Sequence, residues 1–367
     1  VRVPFLDLTA QYREVKDRID HDVAEIFETS AFVLGKHNKA LEDRLAALHG
    51  VKHAVAVNSG TDALRILMQA SGIGPGDEVI TTAFSFVATI ETIVQLGAVP
   101  VLVDIDETTF TIDPANIEPA VTERTKALLP VHLFGQLADV KAIKAIADRH
   151  GLMVLEDSAQ AVLNQHDGVF TGNWGLGAGL SFYVTKNLGA AGDGGMILTN
   201  DDEVARQARS LRIHGMGRER YYYDDVGYTS RMAELQAAVL AAKLDRLEDW
   251  NDRRAAIAAL YLEEMRGVAL PGTRPGNNNT WHQFTVRTPR RDGLMSHLKD
   301  HGIDSAIYYP VPLHLHQPYR RFSHGEGSLP VTERVCRECL SLPVHQHLTD
   351  DQAWHVARSV NEFAGRA

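Results

Sequence analysis

From residue 51 to residue 199 short β-branched runs alternate with amphipathic stretches, and this alternation restricts the fold more than any other feature of the chain. The runs VKHAVAV, DEVITT, VPVLVDI, TKALLPVHL and LMVLEDSA are interleaved with TDALRILMQASG, VATIETIVQLG and LADVKAIKAIADRHG, whose apolar residues recur at helical spacing. Strands alternating with helices of this length build a mostly parallel α/β sheet covered on both faces, and ligands gather at the carboxyl ends of such strands. Two further runs, GLSFYV and GGMILTN, bring the expected sheet to seven strands.

Residues 232–265 carry helical spacing with few breakers and predict one or two long helices. Beyond PGTRPGNNN, the strand HQFTVRT, the helix LMSHLKDHG, the strand SAIYYP and the helices VTERVCRECL and TDDQAWHVARSVNEF predict a smaller α/β unit. A chain of 367 residues exceeds what one apolar core organises, since single cores stop growing near ~250–300 residues. The expected division is a large domain with its N-terminal segment over 1–245 and a small C-terminal domain over 246–367.

Several functions are disfavoured at this level. The net charge of −10 is spread along the chain, whereas a nucleic-acid partner needs a basic stripe. The most apolar region, residues 78–103, is broken by Glu91, Gln95, Gly97 and Pro100, so no membrane span is expected. The segment VRVPFLDLTAQYREVKDRID has no apolar core of signal-peptide length, and a cytoplasmic location is expected. Cys336 and Cys339 resemble half a zinc site that His345 and His347 would have to complete. Their apolar neighbours favour one face of a helix instead, and no metal is expected.

The chemistry centres on SFYVTKNLGAAGDGG, residues 181–195, in which Lys186 separates an apolar run from a glycine-rich tract with little cover besides Asp193. An amine kept from water falls below its reference pKa of ~10.4, and its neutral form attacks carbonyls, which points to a Schiff base. If the carbonyl belongs to pyridoxal phosphate, the chain must also supply a carboxylate for the pyridine nitrogen, a phosphate cradle and a flat surface for the ring. Asp157 closes the apolar strand LMVLEDSA, where a lone anion is costly and a cationic partner is implied, while Glu156 points to the opposite face. Taken singly, Asp157 reads equally well as a helix N-cap. In NSGTDAL, Gly60 and Thr61 open a helix whose amides and dipole favour an anion. Phe86, in AFSFVATIETI, sits at the next strand-to-helix junction, where a ring could stack, although alone it reads as core. These four features fall in one order along successive strand ends.

The chain resembles the DegT/DnrJ/EryC1/StrS family of nucleotide-sugar aminotransferases in NSGTDAL, PGDEVITTAFSFVAT, PVHLFGQLADV, LEDSAQA, SFYVTKNLGAAGDGG, GYTSRMAELQAA and YYPVPLHLHQPY, almost end to end. The resemblance implies the aspartate-aminotransferase (type I) fold, pyridoxal 5'-phosphate as cofactor and a homodimer with shared active sites. It implies Lys186 as the covalent and proton-transferring residue, with Asp157 on the pyridine nitrogen and Gln160 near the phenolic oxygen. Phe86 would lie on the ring face, with Gly60, Thr61 and Ser181 around the phosphate. L-glutamate would donate the amino group and a keto-sugar nucleotide would accept it. Thr229 stands where the family usually has an asparagine reaching the phosphate from the neighbouring subunit; Val162 and Val184 replace a common histidine and proline. YYPVPLHLHQPY resembles relatives acting on 3-keto sugars, dTDP- or UDP-linked, and makes Tyr309 and His314 substrate candidates, with His316 read as a solvated loop residue. The alternatives are a 4-keto-sugar or keto-cyclitol aminotransferase, or a non-catalytic regulatory relative. A dehydratase of related scaffold would carry histidine in place of Lys186.

Overall fold

The computed structural model describes residues 1–365. Two N-terminal helices, α1 (Leu8–Thr29) and α2 (Lys36–His49), precede β1 (His53–Val57), α3 (Gly60–Ala70), β2 (Glu78–Thr82), α4 (Ala88–Gln95), β3 (Val99–Val103), β4 (Thr125–Leu128), α5 (Val140–His150) and β5 (Met153–Asp157). The short ribbon strands β6 (Gln165–His166) and β7 (Val169–Phe170) follow, then β8 (Gly177–Ser181), β9 (Gly195–Thr199) and α6 (Asp202–Leu211). The long helical stretch resolves into α7 (Glu234–Leu244) and α8 (Leu247–Glu264), after which come β10 (Asn277–Asn278), β11 (Phe284–Arg287), α9 (Arg291–Asp300), α10 (Pro330–Glu338), β12 (Cys339–Leu342) and α11 (Asp350–Ala364).

All seven expected strands join one sheet in the order β1-β9-β8-β5-β4-β2-β3, and only β9 runs antiparallel to its neighbours. Side-chain alternation gives the sheet two apolar faces. Ala54 and Ala56 of β1 join Ala178, Leu180, Met196 and Leu198 on one, under α2 and α7. Val55 and Val57 join Ile197 and Leu155 on the other, under α3 and α6. On that second face β8 offers Gly177 and Gly179 before Ser181: a Cβ on Gly179 would stand 2.9 Å from Leu64 Cδ2, so its absence lets α3 lie close against the strand.

The outer strand β1 is covered by side chains instead of another strand. Glu42 accepts the Ala56 N–H at 2.8 Å, and Arg212, itself 2.6 Å from Glu42, donates to the Ala56 carbonyl at 2.8 Å. Helix α2 begins at Gly35, which has no side chain to cap it, and buried Glu234 takes that role by accepting from the N–H groups of Gly35, His37 and Asn38.

In the C-terminal part, β11 and β12 form an antiparallel pair whose apolar cluster includes Tyr261, Phe284, Leu298, Leu340 and Val360, together with Val3 from the other end of the chain. Two expectations change here. Ser305–Pro310 is not a strand: Ala306 makes a single bridge to Ser341, after which the segment, carrying Pro310 and Pro312, turns away to bring Tyr308 and Tyr309 against the large sheet's loops. Cys336 and Cys339 do not share a helix either, since α10 ends at Glu338 and Cys339 opens β12. Both thiols are buried, and burial pushes the Cys339 thiol up to about 12.

Candidate active site

The loops that follow β2 and β5 meet Tyr309, through Phe84 and Phe86 on one and Gln160 on the other. Asp157, the last residue of β5, is 3 % exposed. Thr89 Oγ1 donates to its Oδ2 at 2.7 Å, and the Ala159 N–H donates to its Oδ1 at 3.2 Å. Thr89 spends its one hydroxyl proton on that bond, so Ser85 Oγ, 2.7 Å away, donates to Thr89 in turn. No helix follows Asp157, which excludes the N-cap reading. Burial raises its pKa above the ordinary carboxylate value, although Thr89, Ala159 and the charge of Lys186 oppose that rise. A carboxylate in this state gains most from a nearby cation.

Lys186 lies within electrostatic reach of Asp157. It sits in a turn five residues beyond the end of β8, not at the strand terminus: the strand stops at Ser181, and the Lys186 N–H closes a turn onto Tyr183 O at 2.8 Å. The side chain keeps partial exposure, yet its amine is crowded by protein atoms, and burial lowers its pKa to about 8 against the opposing pull of Asp157.

The anion cradle is compact. Ser59 caps α3 through the Asp62 N–H at 3.1 Å, leaving the amides of Gly60 and Thr61 at the helix start, and a Cβ on Gly60 would stand 2.5 Å from Ser181 Cβ. Gly60 is therefore packed directly against Ser181. Gln160 is oriented by the Phe134 N–H, which donates to its Oε1 at 2.7 Å, so its amide NH₂ points to Tyr309 Oη at 3.3 Å. Phe86 is 56 % exposed and so is no core residue; its ring lies 6.4 Å from that of Tyr309. Tyr309 also feels the charge of Asp157.

Two expected residues stand apart. Thr229 is exposed, and its Oγ1 lies 3.0 Å from His214 Nε2. His314 has no exposed surface, so it does not face the cleft as a substrate residue would. Its Nε2 is 3.1 Å from Glu333 Oε1, and Glu333, which also accepts from Gly327 and Leu329, holds the ring inward.

Free amides at the start of α3, a depressed amine and a desolvated carboxylate fit a phosphorylated pyridine aldehyde. The comparisons agree. Residues 13–361 match the DegT/DnrJ/EryC1/StrS aminotransferase family. The chain belongs to this family. It is 48% identical to a pleiotropic regulatory protein of Geobacillus stearothermophilus, over 99% of each chain. It is 45% identical to the dTDP-3-amino-3,4,6-trideoxy-alpha-D-glucose transaminase of Streptomyces venezuelae, covering 100% of this chain and 97% of the relative. Among solved structures, S. venezuelae DesV in complex with a ketimine intermediate superposes with a TM-score of 0.97 at 45% identity, over 100% of this chain and 99% of that one.

Hydrogen bonds also tie residues to Asp157 and to the turn after Lys186 that spacing alone does not reveal. Ser85 and Thr89 stand four apart, at helical spacing, so their shared direction was readable, though not its target. Asn187 and His282 gave no signal, because the bond between them joins segments 95 positions apart.

Proposed function

We propose that the protein is a pyridoxal-phosphate-dependent aminotransferase that moves an amino group from L-glutamate to carbon three of a keto-sugar nucleotide, working as a homodimer. The observation that carries this reading is the pairing of an amine lowered to about 8 with a carboxyl raised by burial in one cleft. When bound, the cofactor supplies an aldehyde that exchanges with amines and a ring that draws electrons from the attached carbon. Lys186 Nζ would bond the cofactor and carry the proton to and from the substrate carbon. Asp157, aligned by Thr89, holds the proton on the pyridine nitrogen. Gly60, Thr61 and Ser181 receive the phosphate, Gln160 directs its NH₂ to the phenolic oxygen, and Phe86 covers the ring. Thr229 would reach the neighbouring subunit's phosphate, and the substrate would lie beside Tyr309, between the units 1–245 and 246–367.

Amination at carbon three, on a dTDP-linked sugar, is favoured by the S. venezuelae relative, whose product carries its amino group there. The regulatory name of the Geobacillus relative supports a non-catalytic reading, but a lysine held partly neutral next to a desolvated carboxylate has no evident use in such a protein. No helix among the described residues is long and apolar enough to cross a membrane. The test presents keto-sugar nucleotides, generated in situ, to enzyme loaded with glutamate. Release of 2-oxoglutarate coupled to a 3-amino-sugar nucleotide supports the proposal; glutamate turnover that yields only a 4-amino product moves it to the neighbouring carbon, and no keto acid with any acceptor refutes it.

A further inference from the structure

The residue after the lysine makes more hydrogen bonds than its place in a glycine-rich loop requires. Asn187 is 3 % exposed, and its amide is saturated. Nδ2 donates to Thr280 O at 2.7 Å and to Asn251 Oδ1 at 2.9 Å, while Oδ1 lies 3.1 Å from His282 Nδ1. Because that oxygen can only accept, His282 carries its proton on Nδ1. Burial, reinforced by the charges of Lys186 and Arg254, drives the His282 pKa well below the ordinary value, so the ring is neutral. The three partners come from two elements outside the sheet. Asn251 belongs to α8, and Thr280 and His282 belong to the segment that enters β11. That segment is itself fixed: Arg254 Nη1 donates to Trp281 O at 3.1 Å and to Val344 O at 2.8 Å, and the Thr280 N–H donates to Gly135 O at 2.9 Å.

We propose that Asn187 and His282 are positioning residues, forming a clamp through which the C-terminal part of the chain sets the location of the Lys186 amine. The clamp acts on main chain adjoining the lysine, and the role of that lysine rests on the function proposed above. Asp157 on β5 is the charged group facing Lys186, and Lys186 and Arg254 are those facing His282. With the clamp intact the amine stays where protein atoms crowd it. Without it the turn loses its tie to α8 and β11, and the amine moves toward water and recovers ordinary basicity.

The experiment uses cofactor-free full-length protein and competitive amine labelling across pH, read on the Lys186 peptide by mass spectrometry. His282→Leu should raise the Lys186 midpoint by at least one pH unit, a tenfold loss of neutral amine at pH 7. His282→Gln, whose side-chain N–H can replace Nδ1–H, should return it to within threefold of wild type. Asn187→Ala should match or exceed the leucine variant, and the thermal midpoints of the two His282 variants should agree. An unchanged Lys186 midpoint in His282→Leu overturns the clamp, as does a glutamine variant that fails in step with lost thermal stability. The readout needs no cofactor, so it is separable from failure of the proposed function, which would show instead as wild-type protein that borohydride cannot trap with pyridoxal phosphate on Lys186.

Discussion

In the cofactor-free protein the amine of Lys186 should titrate near 8 in place of 10.5. At pH 7 about one amine in ten is then neutral, against roughly one in three thousand for an ordinary lysine. The corresponding free energy is about 3 kcal/mol at ~1.4 kcal/mol per tenfold, reduced to about 2 kcal/mol because solvent reaches part of the side chain. The folded-state pKa lies below the unfolded value, so between about 8 and 10.5 the unfolded chain binds the extra proton and stability rises with pH. Below pH 8 the whole penalty is present. Lys186→Met should therefore stabilise the cofactor-free protein by about 2 kcal/mol at pH 7 in urea unfolding, and the gain should fade as pH rises toward 10.5. Asp157→Asn removes the one attraction that holds the amine up, and should move the labelling midpoint of Lys186 below its wild-type value. A wild-type midpoint near that of surface lysines, or an upward move in Asp157→Asn, would refute the account of how the two groups are coupled.

Three further outcomes are expected. Gly60→Ala pushes a methyl group onto Ser181 and should weaken cofactor retention in equilibrium dialysis; no loss in this variant would show that the cradle is not where the phosphate binds. Glu234→Leu leaves the first amides of α2 buried without an acceptor and should cost about 3 kcal/mol in denaturant unfolding, and an effect under 1 kcal/mol would mean that water replaces the carboxylate. Thr229→Ala should lower cofactor affinity by roughly tenfold or more, because a hydrogen bond to an ionised group contributes ~1.5–3 kcal/mol. Unchanged affinity there removes the subunit-crossing contact.

The sheet was legible because its information is local. β-branched runs alternating with helical spacing, as in DEVITT followed by VATIETIVQLG, fix strand and helix identity over a few residues each, and the glycines of β8 mark where α3 comes close. The C-terminal pairing was not, because SAIYYP has a better strand pattern than CLSL, yet only the latter finds a partner along its length in β11. The order of chemistry along the chain singled out Asp157 and Lys186, which lie within electrostatic reach of each other. His314 was misplaced because nothing local announces Glu333, a carboxylate 19 positions away that turns the imidazole inward. The same limit hid Asn187 and His282.

Glu156 and Asp157 are adjacent carboxylates on one strand, and the difference between them locates the chemistry better than either does alone. Glu156 has no exposed surface and four donors: His132 Nε2 at 2.9 Å and Thr171 Oγ1 at 2.9 Å on one oxygen, the N–H groups of Gly172 at 3.0 Å and Trp174 at 3.2 Å on the other. The Ala138 N–H donates to His132 Nδ1 at 3.2 Å, so the ring proton stays on Nε2 and the bond to Glu156 is directed. Such a carboxylate has nothing left to recruit, and its work is to hold the 171–174 loop under β5. Asp157 has two neutral donors and a raised pKa, which leaves capacity for a cation. Glu156→Gln should thus destabilise the fold by about 2 kcal/mol in denaturant, by turning an acceptor into a donor facing N–H groups, while leaving the Lys186 midpoint in place. Asp157→Asn should do the reverse, shifting Lys186 with little loss of stability, because its carboxylate was never fully satisfied; a Lys186 midpoint that moves in the Glu156 variant and not in the Asp157 variant would assign the cationic partner to the wrong face of β5.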